Sequence, residues 1–440
     1  MKAGRGVSPL DRAHGMRLAG DAEGALRLAG SLCTAQPEHP GAAQLLAQLL
    51  LDGGRAPAAG AAAERLIDAW IRRGDLGAAR VAAELGMAAG GFAPAGVGRI
   101  AGAFGRGSAR LDDEASPAPP PLPEDVPVAP FFQERAGEVL LDAAQKALAR
   151  YGESADPVAA DRPLPRWPRF SELEPARLSR LLGHMELREL PAGARVIELG
   201  EEGREAFLLV RGVLNVVRGD GDDVTLLAVL GPGALVGEMA LVSAAPRAAA
   251  VVAVEPVQLL AMSRTGLEQL AGEDEGLARE LASFCHRRMI ANLLRHSEVL
   301  STLEHEQKLE VMARFEPRSF EAGEKLLLAG QESGSLFLIA SGGVRVRSTD
   351  AEGDRVQLAE LGPGDVVGEV SLVLRRPAIA DVIANHPTMV LELRREAFHE
   401  LIRAHPGLLQ RLYDIAVHRD ELTRSVVAQP AEDVTDEILV

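Results

Sequence analysis

The 440-residue chain has few aromatic side chains and almost no cysteine. Phe, Trp and Tyr make up 3% of it, so aliphatic residues and alanine must fill the core, which a 47% hydrophobic content allows. The two cysteines, Cys33 and Cys285, are too few for a disulfide framework and too far apart to be a metal-ligand pair. They read as packing residues in a reducing compartment. A Lys/Arg-rich block is also missing, and the net charge is −16. A nucleic-acid partner needs a basic face, so none is expected. No apolar run approaches the roughly 18 residues of a membrane span. The opening MKAGRGVSPLDRAHG lacks the apolar stretch of a signal peptide. A cytoplasmic location, away from any membrane, is expected. HExxH, GxSxG and GxxxxGK[ST] are all absent. His286 and the pair His305-Glu306 sit in charged, helical sequence and read as solvated side chains. The chain is therefore expected to be no enzyme and to hold no metal or cofactor.

Its length suggests two to four domains of about 100–200 residues each. Residues 8 to 105 read as short helices without strand alternation. Gly20 and Gly54 lie 34 residues apart, with Ala13 and Ala25 matched by Ala47 and Ala59. Gly74 opens a third unit out of register with that period. The spacing resembles tetratricopeptide repeats, whose small residues let paired helices pack closely. The resemblance implies that residues 1–110 bind a protein partner. Proline in ASPAPPPLPEDVPVAP makes residues 111–130 an extended linker, able to space two modules by roughly 50 Å. Residues 131–152 form an amphipathic helix with Val139, Leu140, Ala143, Ala147 and Leu148 on one stripe. It is expected to dock on a neighbouring domain; presenting that stripe to a partner is the alternative. DRPLPRWPRF belongs to a second linker, residues 153–167.

Beyond Phe170 the texture changes to short Val/Leu/Ile-rich runs between glycines, read as strands and tight turns. GARVIELG, EAFLLVRGVLNVVRGD and VTLLAVLGPGALVGE recur as GEKLLLAG, SLFLIASGGVRVRSTD and VQLAELGPGDVVGE. Gly193 matches Gly323, Gly200 matches Gly330, Pro232 matches Pro363 and Gly237 matches Gly368, the offset moving from 130 to 131. An all-β unit has been duplicated, as residues 168–300 and 301–425, each with helices after its strands. Residues 275–300 read as one long helix, and 426–440 as an acidic tail. The fold class is multidomain α+β: a helical repeat region followed by two β jelly-roll domains with flanking helices.

Within each unit one stretch carries chemistry. In GEMALVSAAPRAAAV, Gly237 admits close backbone approach, and Glu238 to Val242 can form a helical turn whose N–H groups face an anion. Ala240 and Ala248 leave room, and Arg247 offers a planar fork to two phosphate oxygens. Glu238 would repel phosphate and so belongs at the sugar end. The set describes a pocket for a ribose beside a singly charged phosphate. The stretch resembles the phosphate-binding cassette of cyclic nucleotide-binding domains, as in the catabolite activator protein and the regulatory subunits of cAMP-dependent protein kinase. That resemblance implies that Glu238 binds the ribose 2′-hydroxyl and Arg247 the cyclic phosphate. Backbone of Gly237, Met239, Ala240 and Ala248 completes the cradle. Ala248, where the family's cGMP binders carry Thr or Ser, leans to cAMP. The helix 275–300 would fold over the pocket, and aligning Arg287-Arg288 with a similar pair puts Asn292 at the adenine.

The second stretch, GEVSLVLRRPAIADV, keeps Gly368 and Glu369 but has Ala378 where the arginine belongs. Asp381 adds negative charge nearby, and Arg375 and Arg376 fall before the proline that sets the backbone. The second site is expected to be degenerate. No helix-turn-helix follows the second unit, and neither linker holds a basic-basic-x-small pseudosubstrate. The resulting expectation is a cAMP-responsive regulatory adaptor. A scaffold that binds no nucleotide and a regulatory subunit of a separate enzyme are the alternatives.

Overall fold

In this computed structural model the described residues are 7–91, 93–120, 126–153, 158–168, 170–218, 224–241, 246–247, 249–349 and 355–427. They form two compact units. One comprises residues 1–198, 205–236 and 249–278; the other comprises 199–204, 237–248 and 279–440.

The first unit opens with α1 (Pro9–Leu18), α2 (Ala22–Ala35), α3 (Pro40–Asp52), α4 (Ala56–Arg73), α5 (Leu76–Ala88) and α6 (Ala93–Phe104). Side-chain caps start four of them: Ser8, Asp21, His39 and Asp75 each accept a backbone N–H of the first turn. Gly20, Gly54 and Gly90, all at positive φ, close the turns within α1–α2, α3–α4 and α5–α6. Gly74 instead joins one pair to the next, which is why it falls out of the 34-residue register. Ala13, Ala25, Ala47 and Ala59 are each fully buried, at 0% exposure.

β1 (Leu111–Asp112), α7 (Pro130–Gln133), α8 (Gly137–Ala149) and β2 (Leu164–Pro165) follow. α8 packs on α2, α3 and α4 through Leu140, Ala143, Ala144, Ala147 and Leu148. Val139, expected on this stripe, is 59% exposed: it lies one residue off the buried face, which Ala144 shares instead. Arg55 clamps the helix through Glu138 and Asp142. The described parts of the proline-rich stretches are not free spacers. Ala118 N–H bonds Arg73 O at 2.7 Å, β2 pairs with β1, and Trp167 Nε1 donates to Gly74 O at 3.0 Å.

The strands then begin: β3 (Glu186–Leu190), β4 (Arg195–Ile197), β5 (Glu205–Arg211), β6 (Leu214–Arg218), β7 (Thr225–Leu230), β8 (Leu235–Val236), β9 (Ala250–Ala253) and β10 (Val257–Ser263). They are preceded by α9 (Pro175–Gly183) and followed by α10 (Arg264–Glu273) and α11 (Glu275–His296). Two four-stranded antiparallel sheets, β3-β10-β5-β8 and β4-β9-β6-β7, share a core that includes Ile197, Phe207, Leu214, Val251 and Leu259. The helical region is bolted to these strands by polar contacts. Arg80, 1% exposed, donates to Leu182 O and Met185 O, and Glu189 accepts from Arg17, Gln48 and Gln258.

In the second unit, α12 (His305–Met312) leads into β11 (Glu316–Phe320), β12 (Lys325–Leu327), β13 (Ser335–Ser341), β14 (Val344–Thr349), β15 (Arg355–Leu361), β16 (Val366–Val367), α13 (Glu369–Leu374), β17 (Asp381–Ala384), β18 (Thr388–Arg394), α14 (Arg395–Ala404) and α15 (Pro406–Val427). The sheets β11-β18-β13-β16 and β12-β17-β14-β15 repeat the first order strand for strand. Three bulges recur as well: at Val210 and Ala340, after Arg195 and Lys325, and after Val216 and Val346. The extra residue is counted between the partners of two matching ladder pairs, Arg218–Thr225 and Ser348–Val356. The long helix expected over 275–300 ends at His296, and the last helical segment breaks at His405, before Pro406.

Candidate functional site

Two backbone hydrogen bonds fix Arg247. Gly200 N–H donates to Arg247 O at 2.9 Å, and Arg247 N–H donates to Glu201 O at 2.9 Å. The side chain is 8% exposed, with Nη1 donating to Gly237 O at 2.9 Å and Nε 4.0 Å from Glu201 Oε1. The guanidinium thus ties the end of the cassette to its start, where Gly237 adopts φ 72°. Glu238 to Leu241 form a 3₁₀ turn, the short helical turn expected there. Glu238 is buried at 5% exposure, and Cys285 Sγ of α11 lies 3.5 Å from its carbonyl oxygen. Met239 packs against a core that includes Met289, Leu293 and Leu294 of α11 and Leu336 and Leu338 of β13. One compact unit therefore contains the first cassette, α11 from Arg279 onward and the second β domain. Ala248 and the side chains of Ala240 and Asn292 lie outside the described residues.

A buried acid and a buried base can meet different ends of one ligand. The arginine offers a directional, charge-assisted contact to a phosphate. The half-exposed Glu201 carboxylate would be repelled by an arriving phosphate and has solvent to turn into.

The second cassette reproduces the backbone with other chemistry. Gly330 N–H donates to Ala378 O and Ala378 N–H to Gln331 O, both at 2.8 Å. Ala378 therefore stands where Arg247 stands, on the same two-bond ladder, with Gln331 in place of Glu201. Gly368, at φ 92°, has its missing Cβ 2.4 Å from Ser335 O, so the close approach requires glycine. Glu369, 2% exposed, pairs with Arg419 Nη1 of α15 at 2.9 Å. Arg376 is tied to Asp420 at 3.2 Å, and Arg424 reaches the same carboxylate at 3.0 Å. Two of the charges that would greet a ligand, Glu369 and Arg376, are thus engaged by α15.

Asp381 does not act as expected. Its carboxylate accepts from Lys325 Nζ at 2.7 Å and Ala329 N–H at 2.9 Å, which hold it below the usual carboxylate range. Its charge is thus compensated by Lys325. Arg419 and Asp420 were invisible to sequence reasoning, because a pairing 50 residues from Glu369 leaves no local pattern. The 130-residue repeat offered one signal for Glu201, which precedes the ladder in step with Gln331.

The family described as the cyclic nucleotide-binding domain matches residues 187–274 and again 317–405, each match taking in one cassette. The chain carries two cyclic nucleotide-binding domains in tandem. A curated relative, the cAMP-dependent protein kinase type II regulatory subunit of Drosophila melanogaster, is 27% identical over 215 residues, which are 49% of this chain and 54% of that protein. The chain thus spans about half the length of this relative. Among solved structures, the regulatory domain of Toxoplasma gondii PKA with cAMP is 22% identical, with 56% of this chain and 90% of that one covered at a TM-score of 0.29. The catabolite activator protein of Thermus thermophilus is 30% identical, with 30% and 62% covered at a TM-score of 0.28. Among the described residues no helix is long and apolar enough to cross a membrane.

Proposed function

We propose that this chain is a regulatory protein that senses a cyclic nucleotide, cAMP in preference to cGMP, through its first domain alone. One observation carries this reading: two equivalent backbone ladders hold an arginine in the first cassette and an alanine in the second. A phosphate entering a partly desolvated site needs its cation, because an unpaired buried charge costs several kcal/mol. The first cassette supplies one, with Glu238 for the ribose and backbone of Gly237, Met239, Ala240 and Ala248 for the rest. Asn292, on α11, meets the base. The second cassette is degenerate, and its domain serves as the packing partner of α11. The helix pairs of residues 1–110 act as a tetratricopeptide-like module for a protein partner. That partner uses surface α8 leaves open, since α8 already covers part of α2, α3 and α4.

A second reading, a regulatory subunit of a separate enzyme, is supported by the kinase regulatory subunit to which the chain is 27% identical. Both readings share the sensor. Melting the full chain with cAMP and with cGMP tests it. At about a hundredfold over its dissociation constant a ligand adds about 2.7 kcal/mol to stability. A rise in melting temperature with cAMP, smaller with cGMP, is expected. An unchanged melting temperature at millimolar cAMP rejects the reading.

A further inference from the structure

The turn that leads into each cassette has one backbone. Gly233 N–H donates to Leu209 O, Leu209 N–H to Ala234 O and Ala234 N–H to Gly231 O. In the second domain Gly364 N–H donates to Ile339 O, Ile339 N–H to Asp365 O and Asp365 N–H to Gly362 O. What lies over the two turns differs. In the first domain the Trp167 ring packs on Gly233, 3.7 Å from where a Cβ would stand.

The segment before each domain keeps step as well. α9 and α12 start at Pro175 and His305, and β3 and β11 at Glu186 and Glu316, each pair 130 residues apart. Leu173 N–H donates to Phe170 O as Leu303 N–H does to Leu300 O, both at 3.2 Å. Ser297, 130 residues after Trp167, therefore stands in its place. Ser297 is 3% exposed, and its Oγ donates to Gly364 O at 3.0 Å. A hydroxyl has replaced an indole over the same glycine turn. Gly364 and Glu298, the partner and the neighbour of Ser297, line a cavity of about 340 Å³. That volume lies within the roughly 300–1,000 Å³ of ligand sites. α15 adds Arg411, Asp414, His418 and Arg419 to the lining, and the turn adds Asp365.

We infer that this cavity is a docking site for an aromatic side chain, tryptophan above all, carried on a basic, proline-rich segment of a partner protein. Three features select that occupant. The first domain shows which side chain sits on this turn and what brings it: DRPLPRWPRF, with three prolines, three arginines and one aspartate. The guanidinium groups of Arg411 and Arg419 suit an aromatic face, and tryptophan suits them best. Charge makes the third. Glu298 pairs with Arg411 and Glu369 with Arg419, so Asp365 and Asp414 leave the lining a surplus of negative charge. That surplus favours arginine on the incoming segment. A second copy of this chain does not have the segment to give. Its Trp167 donates Nε1 to Gly74 O and its backbone N–H to Ser171 Oγ.

The test uses a fluorophore-labelled peptide of residues 161–170, DRPLPRWPRF, titrated with the full chain and read by fluorescence anisotropy. Saturable one-to-one binding is expected. The same peptide with Trp167→Ala should bind at least about tenfold more weakly, as for a buried aromatic anchor. The decisive variant of the chain is Ser297→Trp, which fills the second domain as the first is filled and should abolish binding. Asp414→Arg, at an exposed position, should weaken binding at least about tenfold and decides the matter if Ser297→Trp does not fold. Circular dichroism identifies a variant that does not fold. A native chain that binds no peptide overturns the inference. So does binding indifferent to the tryptophan, or binding that survives Ser297→Trp or Asp414→Arg. Self-association of the native chain that the peptide reverses would give the cavity to a second copy and overturn the inference too.

Discussion

The two cassettes share a backbone and differ in what fills it. Gly200 and Glu201 hold Arg247 by the same two hydrogen bonds with which Gly330 and Gln331 hold Ala378. In the first, a buried acid and a buried base remain on one short stretch. In the second, the acid is taken by Arg419, and Arg376, one of the two arginines that remain, is held by Asp420. Losing one cation from the cassette and gaining one from α15 are complementary changes. A buried carboxylate keeps its charge only with a partner. In our reading a ligand meets the first cassette, while α15 occupies the buried acid of the second.

The largest expected effect breaks the comparison at its source. Arg247→Ala should weaken cAMP binding at least about a hundredfold, because the phosphate loses a charge-assisted, partly buried partner. The matched change in the second cassette, Arg376→Ala, should leave the affinity unchanged. Calorimetric titration of both variants checks the contrast.

Next comes the plug. Arg419→Ala leaves Glu369, 3% exposed at its side chain, without its cation and should destabilise the second unit by about 3 kcal/mol. Glu369→Gln combined with Arg419→Ala should cost less than Arg419→Ala alone, because no charge is then stranded. Urea unfolding of the full-length variants measures both; equal losses would reject the plug.

Glu201 sets a finer difference between the ladders. Removing its charge from beside the phosphate arginine, as Glu201→Gln, copies Gln331 and should tighten cAMP severalfold, an increment of about 0.5–1 kcal/mol for a half-exposed charge. Weaker binding would reject a competing role for that carboxylate.

The smallest effect separates the two units by pH. Burial, then Arg211 and Arg17, hold His14 well below its ordinary 6.5. The folded form thus resists a proton that the unfolded chain accepts. The stability of the first unit should be full above about 6.5 and be lost as pH falls toward the folded value. Asp75 works in the opposite sense. Burial raises its carboxyl from 3.8 to about 6 against two backbone N–H donors, so its contribution is full below 3.8 and lost as pH rises through about 6. His14→Gln should flatten the acid decline in melting temperature, and Asp75→Asn should steepen it. A decline unaffected by His14→Gln assigns it to other groups.

Repetition made much of this legible. The duplicated glycines announced two like domains, and the arginine-to-alanine exchange marked where their cassettes differ. Short helices over residues 8 to 105 were legible from the missing strand alternation and the glycine and alanine spacing. Contacts across sequence were not. Nothing local tells that Leu164 is fully buried in a stretch that reads as linker, that Val139 points away from a stripe Ala144 completes, or that Arg419 finds Glu369. Asp381 shows the same limit: its charge was plain, but its neutraliser, Lys325, lies across a strand pairing.

The central claim is that one cassette of the two accepts a cyclic phosphate. Isothermal titration of cAMP into the full chain measures it directly, as a stoichiometry. The account predicts one site per chain, lost in Arg247→Ala. Two sites per chain, or a site that survives Arg247→Ala, would contradict it.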